Sequence, residues 1–364
     1  MMKKLTKPVV KKLIKSVLLL LPFLFFESWF YKIICLILMA VVWREDLRAM
    51  HKWLFRGVLI ALFVGLFWVL PRYRYNTSDR VRLIYQDENY NPVHPPVSHY
   101  LFNVFFPEEE LCNFAIAGAR CVPEEMPIAG WLVEEFKFED ERGNIRNFAR
   151  CFRRMNWDGE FMMSGITSQM ANMMGMEETR SVYLITPEDY DQSKTYPVVF
   201  FMHGFMGNWK LYTSILKEMD DCVVCCVGTR DWSGLFKNKD IGDLFEHQIP
   251  FIKKMGVNVD EDNVHIIGLS NGGTAADVAY RDFSNKFKSI TYLSTGINQT
   301  YRIPSKVLFI GGGKDHSSGS LPRAYKALKA NGNPTDMYWK DDQTHFIFVN
   351  EADEIVDFLN RNID

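Results

Sequence analysis

At 364 residues, with 48% hydrophobic and 14% aromatic side chains, the chain is long and apolar enough to bury a large core, which excludes a disordered protein. Its 42 basic and 44 acidic residues leave a formal net charge of −2, so there is no basic field to attract nucleic acid. The seven cysteines show neither paired CxxC spacing nor paired histidines, which argues against a structural metal site.

Residues 13–70 are the most apolar part of the chain. Leu13–Phe26, Phe30–Trp43 and Gly57–Leu70 read as membrane-embedded segments. A cleaved signal peptide fits poorly, because no Ala-x-Ala site follows the first run and two more apolar runs come after it. Leu13–Trp43 reads as one long tilted helix or as a hairpin turning at Glu27-Ser28. Holding Glu27 and Lys32 near the bilayer centre would cost about 2.5–3.5 kcal/mol each, which argues for the hairpin. Against it, each half is shorter than the roughly 20 residues that a span prefers.

Lys3, Lys4, Lys7, Lys11, Lys12 and Lys15 put the N-terminus on the cytoplasmic side. Three spans leave the remainder outside and two leave it inside. Arg44, Arg48, Lys52 and Arg56 suit the first arrangement, and Arg72, Arg74, Arg80 and Arg82 suit the second. The expectation taken forward is a multi-pass protein of the cell membrane, with three spans and an extracytoplasmic remainder.

A boundary falls near residue 76, so residues 1–76 form the membrane-embedded unit. Residues 77–178 read as an accessory or cap region, in which the proline-rich run from Asn91 to Pro96 has no regular structure and residues 131–144 look like strand, turn, strand. Cys112 and Cys121 stand in loop-like surroundings where a disulfide is an open alternative. The methionines around 161–176 read as gap-filling core, with a greasy cleft as the alternative.

From residue 179 to 364 the pattern turns regular and reads as α/β. Strands are expected at Ser181–Thr186, Val198–Met202, Cys222–Gly228, Val264–Gly268, Ser289–Leu293, Val307–Gly311 and Met337–Trp339, with helices near Lys210–Met219, Gly242–Lys254, Gly272–Asp282, Leu321–Ala330 and Asn350–Asn360. Runs such as Pro197–Met202 fit parallel strands covered on both faces, and Cys222, Cys225 and Cys226 read as small buried hydrophobes.

Gly268-Leu269-Ser270-Asn271-Gly272 lies between a β-branched strand and a helix of small residues. That is the setting of a nucleophile elbow, in which Gly268 and Gly272 give Ser270 room on a tight turn. A serine hydroxyl needs a base and a carboxylate to orient that base. Asp315 follows the strand ending at Gly311 through a glycine turn, and His345 follows the last strand just before the last helix. His316 competes as a base, and Asp336, Asp341 and Asp342 compete as acids. His203-Gly204-Phe205 follows the strand ending at Met202, so the backbone N–H groups of Phe205 and Asn271 can form an oxyanion hole. The ring of His203 reads as a brace for that loop.

On these motifs, together with Gly313-Lys314-Asp315 and Thr344-His345-Phe346, residues 180–364 resemble the α/β-hydrolase superfamily, in particular its dienelactone-hydrolase-like and prolyl-oligopeptidase-like serine esterases and peptidases. The resemblance implies an α/β-hydrolase fold, a Ser270 nucleophile served by Asp315 and His345, no cofactor, and a small-molecule or lipid ester as substrate. The chain departs from dienelactone hydrolases, which use Cys, and carries apolar segments where the peptidases have a propeller, so neither subfamily's substrate carries over. The alternative is a catalytically inactive hydrolase-fold binding protein. The oligomeric state is not legible in the sequence.

Overall fold

The computed structural model describes residues 7–25, 29–44, 56–57, 60, 80–93, 147, 150–151, 167–173, 180–205, 207–229 and 231–363. Its first elements are α1 (Lys7–Phe25) and α2 (Trp29–Val42), which pack against each other as a hairpin. Among the described residues no helix is long and apolar enough to cross a membrane. The reason lies in composition: α1 has 19 residues but its first half carries Lys7, Lys11, Lys12 and Lys15, and α2 has only 14 residues. Of the three apolar segments, the first two are these helices. The third, Gly57–Leu70, lies outside the described residues apart from Gly57 and Ile60.

Next come β1 (Val81–Gln86), β2 (Pro92–Val93), α3 (Ser168–Met173), β3 (Arg180–Ile185), β4 (Tyr196–Met202), α4 (Trp209–Leu216) and β5 (Val223–Val227). They are followed by α5 (Asn238–Asp243), which continues through a π-helical turn at Leu244–Gln248 into α6 (Ile249–Lys254), then β6 (Val259–Leu269), α7 (Gly273–Asp282) and β7 (Ser289–Leu293). The chain closes with β8 (Lys306–Gly312), α8 (Leu321–Ala330), β9 (Thr335–Lys340), α9 (Ile347–Asn350) and α10 (Ala352–Asn360).

The strands form one nine-stranded sheet in the order β2-β1-β3-β5-β4-β6-β7-β8-β9. From β5 to β9 every pairing is parallel, whereas β3 is antiparallel to both β1 and β5. The sheet therefore begins at Val81, inside the stretch expected to be accessory, and the boundary expected at residue 179 cuts through it. Polar residues at this edge hid the strands: Arg80 donates to the carbonyls of Thr186 and Lys217, and Gln86 exchanges side-chain hydrogen bonds with Gln248 in the interior. Residues 131–144 and the Cys112, Cys121 pair lie outside the described residues.

Successive residues of a strand face opposite sides of a sheet. Along β4, Val198, Phe200 and Met202 join the core beneath α5 to α8, while Val199 and Phe201 join the core beneath α4, α9 and α10. Each face is thus covered by helices, which is why β4 is apolar at nearly every position. Cys222, Cys225 and Cys226 are free and buried in this interior, and burial pushes the Cys222 thiol up to about 12, so they behave as inert hydrophobes. β6, β8 and β9 end at the same edge of the parallel part of the sheet, with β7 between β6 and β8, and open parallel sheets place their sites at such carboxyl ends.

Candidate active site

Ser270 is the first residue after β6 and has φ +52°, a left-handed conformation that a residue with a side chain rarely adopts. The surroundings hold it there. A Cβ at position 272 would stand 2.1 Å from Met202 O, and one at position 268 would stand 2.3 Å from Gly272 O, so only glycine lets the turn close against β4. The chain then runs through a short 3₁₀ turn, Ser270–Gly272, straight into α7.

His345 Nε2 lies 3.0 Å from Ser270 Oγ, and its Nδ1 lies 3.2 Å from Asp315 Oδ1. Asp315 is fixed by more than the histidine, since Oδ1 also accepts the backbone N–H of Ser317 at 2.9 Å and Oδ2 accepts the Ser318 hydroxyl at 2.6 Å. Burial by itself raises a carboxyl pKa, but the hydrogen bonds from His345, Ser318 and Ser317 outweigh it and hold Asp315 below its ordinary value. The carboxylate is therefore ionised and buried, with His345 about one-third exposed above it.

The loops bearing these two residues are joined. Gly313 N donates to Lys340 O at 2.9 Å and Lys314 N donates to Gln343 O at 3.0 Å. A Cβ on Gly312 would stand 2.1 Å from Gln343 O, so this contact also requires glycine. The competing groups are disposed elsewhere. His316 is exposed on the following 3₁₀ turn, and Asp341 Oδ1 accepts the Trp339 indole N–H at 2.7 Å.

Gly204 lies against Ser270, where a Cβ would stand 3.1 Å from Ser270 Cβ. This brings the Gly204-Phe205 backbone to the elbow and leaves the Phe205 side chain 49% exposed. His203 braces the loop. The backbone N–H of Thr229 donates to its Nε2 at 3.2 Å, so the ring proton sits on Nδ1 and donates to Gly204 O at 2.7 Å. Complete burial lowers its pKa to about 4, against a smaller opposing effect of the Gly204 bond, so the ring stays neutral.

A third wall was not legible in the sequence. After β5, Asp231–Phe236 folds over the elbow, with Asn271 Nδ2 donating to Ser233 O at 3.2 Å and Phe236 N donating to Thr274 Oγ1 at 2.9 Å. Gln169, fully buried on α3, donates to Trp232 O at 3.0 Å. Trp232 and Leu235 in turn project outward, 71% and 43% exposed. Of the methionines expected to fill gaps in the core, Met170 is half-buried and Met173 exposed while α3 turns Ser168, Gln169 and Ala171 inward; the others lie outside the described residues. The signal that could have marked Gln169 is its place beside Ser168 and two residues before Ala171, the other inward-facing residues of this short helix.

Among the described residues, Asp243, Glu246 and His247 bring three potential metal-ligand atoms within 4.8 Å of one another. Asp243 is already bonded by Tyr90 OH and lies 3.6 Å from the Arg180 guanidinium, whose charge opposes a cation.

An elbow serine, a histidine and a buried carboxylate thus stand at the ends of β6, β9 and β8, in the chain order Ser, Asp, His, beneath a loop from β4. This is the chain order and placement that the resemblance drawn from the sequence implies. No family model and no curated protein sequence matches the chain. Among solved structures it is similar to dipeptidyl peptidase 4 of Porphyromonas gingivalis, at 18% identity and TM-score 0.37 over 50% of this chain and 34% of that one. It is also similar to a thermostable esterase, at 17% identity and TM-score 0.39 over 50% and 59% of the two chains. A third is esterase B of Lactobacillus rhamnosis, at 16% identity and TM-score 0.40 over 51% and 80%. The similarity takes in 34% of the peptidase's length and 59% of the thermostable esterase's.

Proposed function

We propose that the chain is a membrane-attached serine hydrolase that cleaves a carboxylic ester, or an amide, through an acyl-enzyme. The observation that carries this reading is the 3.0 Å contact between Ser270 Oγ and His345 Nε2, with Asp315 behind the histidine. As Ser270 Oγ attacks the carbonyl carbon, its proton passes to His345 Nε2, and Asp315 stabilises the imidazolium that forms. The carbonyl oxygen becomes an oxyanion, which the backbone N–H groups of Asn271 and Phe205 receive. The tetrahedral adduct collapses, His345 gives its proton to the departing alcohol or amine, and the acyl group stays on Ser270. Water then repeats the sequence and releases the acid.

Exposed Phe205, Trp232 and Leu235 around this site favour an ester with an apolar acyl or alcohol portion, whether a small molecule or a lipid. The hydrogen-bond distance at Ser270 supports catalysis over the alternative of an inactive binding protein. Labelling with a fluorophosphonate probe tests the proposal. The folded protein is expected to react, and Ser270→Ala is expected not to. A folded wild-type protein that stays unlabelled overturns it.

A further inference from the structure

The α1–α2 hairpin has the size, the exposed surface and the charge placement of an element that rests on a membrane without crossing it. In α1, Ser16–Phe25 is the stretch without lysine, and at 1.5 Å per residue it covers about 15 Å, half of a ~30 Å hydrocarbon core. The open end of the hairpin is closed by the Trp43 indole N–H, which donates to buried Ser16 Oγ at 2.7 Å while Lys12 Nζ sits 5.7 Å above the same ring. Ser16 marks the side of α1 that faces α2. The other sides expose Leu13, Ile14, Val17 and Leu18, from 41% to 61%, and α2 adds Leu38 and Val41.

The exposed cations gather at the open end of this apolar surface, and half-buried Lys32 stands near the turn. Lys11 and Lys15 are exposed one turn apart on α1, on the same face as Leu18, and Arg44 is exposed at the end of α2. If the hairpin stood upright in a bilayer, Lys32, on the first turn of α2, would be carried toward the centre. If it lies flat, Lys11, Lys15, Lys32 and Arg44 all stay at headgroup depth while the adjoining face of Leu13, Ile14 and Val17 enters the acyl chains.

We infer that the α1–α2 hairpin lies in the plane of an anionic phospholipid bilayer, with its leucine-rich surface in the acyl region and Lys11 and Lys15 on the headgroups. This inference is independent of the chemistry at Ser270. It replaces the two short spans expected from the sequence with one interfacial element.

The experiment mixes the full-length protein with sealed vesicles of phosphatidylcholine alone or of phosphatidylcholine with phosphatidylglycerol. Wild type is expected to partition more strongly onto the mixed vesicles. In the double variant Lys11→Gln, Lys15→Gln that partition is expected to fall about thirtyfold, the equivalent of about 1 kcal/mol per lysine. Binding to neutral vesicles should stay unchanged. Equal partition of wild type onto both vesicle types, or a double variant that binds mixed vesicles as tightly as wild type, overturns the inference. A membrane-impermeant amine reagent added outside should modify both Lys15 and Lys32 of the bound protein. Reaction at Lys15 with Lys32 protected would place the two across the bilayer and overturn the flat arrangement.

Discussion

His345 Nδ1 stands 3.2 Å from a carboxylate oxygen of Asp315, 30 residues earlier in the chain, and that oxygen is also held by the backbone N–H of Ser317. The acid is thus fixed independently of the base it orients. Asp315→Asn keeps the volume but removes the negative charge that stabilises the imidazolium and leaves His345 a weaker, neutral acceptor. The expected loss in kcat is about 10⁴-fold, with little change in Tm. Steady-state kinetics alongside a thermal melt read both quantities, and full activity in the variant would assign the orienting role to another group.

The neutral state of His203 gives a stability profile with a defined sign. Its pKa is about 4 in the folded protein and 6.5 when unconstrained, so between those values the unfolded chain binds the extra proton. Stability is complete above pH 6.5, falls as the pH drops toward 4, and levels off below. At ~1.4 kcal/mol per pKa unit the contribution is about 3 kcal/mol. Buried His265, also lowered to about 4 by burial and then by Lys288 and Lys306, adds a slope of the same sign. Urea denaturation of His203→Gln at several pH values should show a shallower loss than wild type; an unchanged slope would assign the acid sensitivity elsewhere.

Two glycines make a matched pair of substitutions. Gly272→Ala sets a methyl 2.1 Å from Met202 O and should prevent the elbow from closing, with loss of probe labelling and of several °C in Tm. Gly242→Ala, inside α5 with nothing within 4 Å of the new methyl, should gain about 0.5–1 kcal/mol and leave labelling intact. Differential scanning fluorimetry with the probe reaction separates the two effects.

Gln169→Leu removes the donor to Trp232 O and leaves that carbonyl to find another partner. The loop over the elbow should loosen, raising KM several-fold for esters with apolar acyl groups while probe labelling of Ser270 persists. Trp232→Ala should raise KM for the same esters and spare acetyl esters. If KM is indifferent to both changes, the loop does not line the substrate's path.

Much of the site was legible because its geometry depends on small residues and on strand order. Gly268, Ser270, Gly272, Asp315 and His345 sit at the junctions that apolar runs predict, and each expected strand from Val198 onward appears within a few residues of its place. What escaped was set by partners distant in sequence. β3 is apolar on both faces whether it runs parallel or antiparallel, so its direction depends on β1 and β5. β1 carries Arg82 and Gln86, whose partners Met255 and Gln248 lie more than 160 residues away. Gln169 looked like one polar residue in a methionine run, and only the folded loop at Trp232 gives it a purpose.

The backbone bonds from Gly313 to Lys340 and from Lys314 to Gln343 tie the carboxylate's loop to the histidine's, whereas the serine belongs to a turn wedged against β4. Acid and base therefore shift together, as one jaw of a clamp whose other jaw is the elbow. That jaw hangs on β8 and β9, and β9 is an edge strand of the sheet, paired among the described residues with β8 alone. The gap between His345 and Ser270 is thus set at the margin of the molecule, where a weight placed on the outer strand would open or close it without disturbing the core.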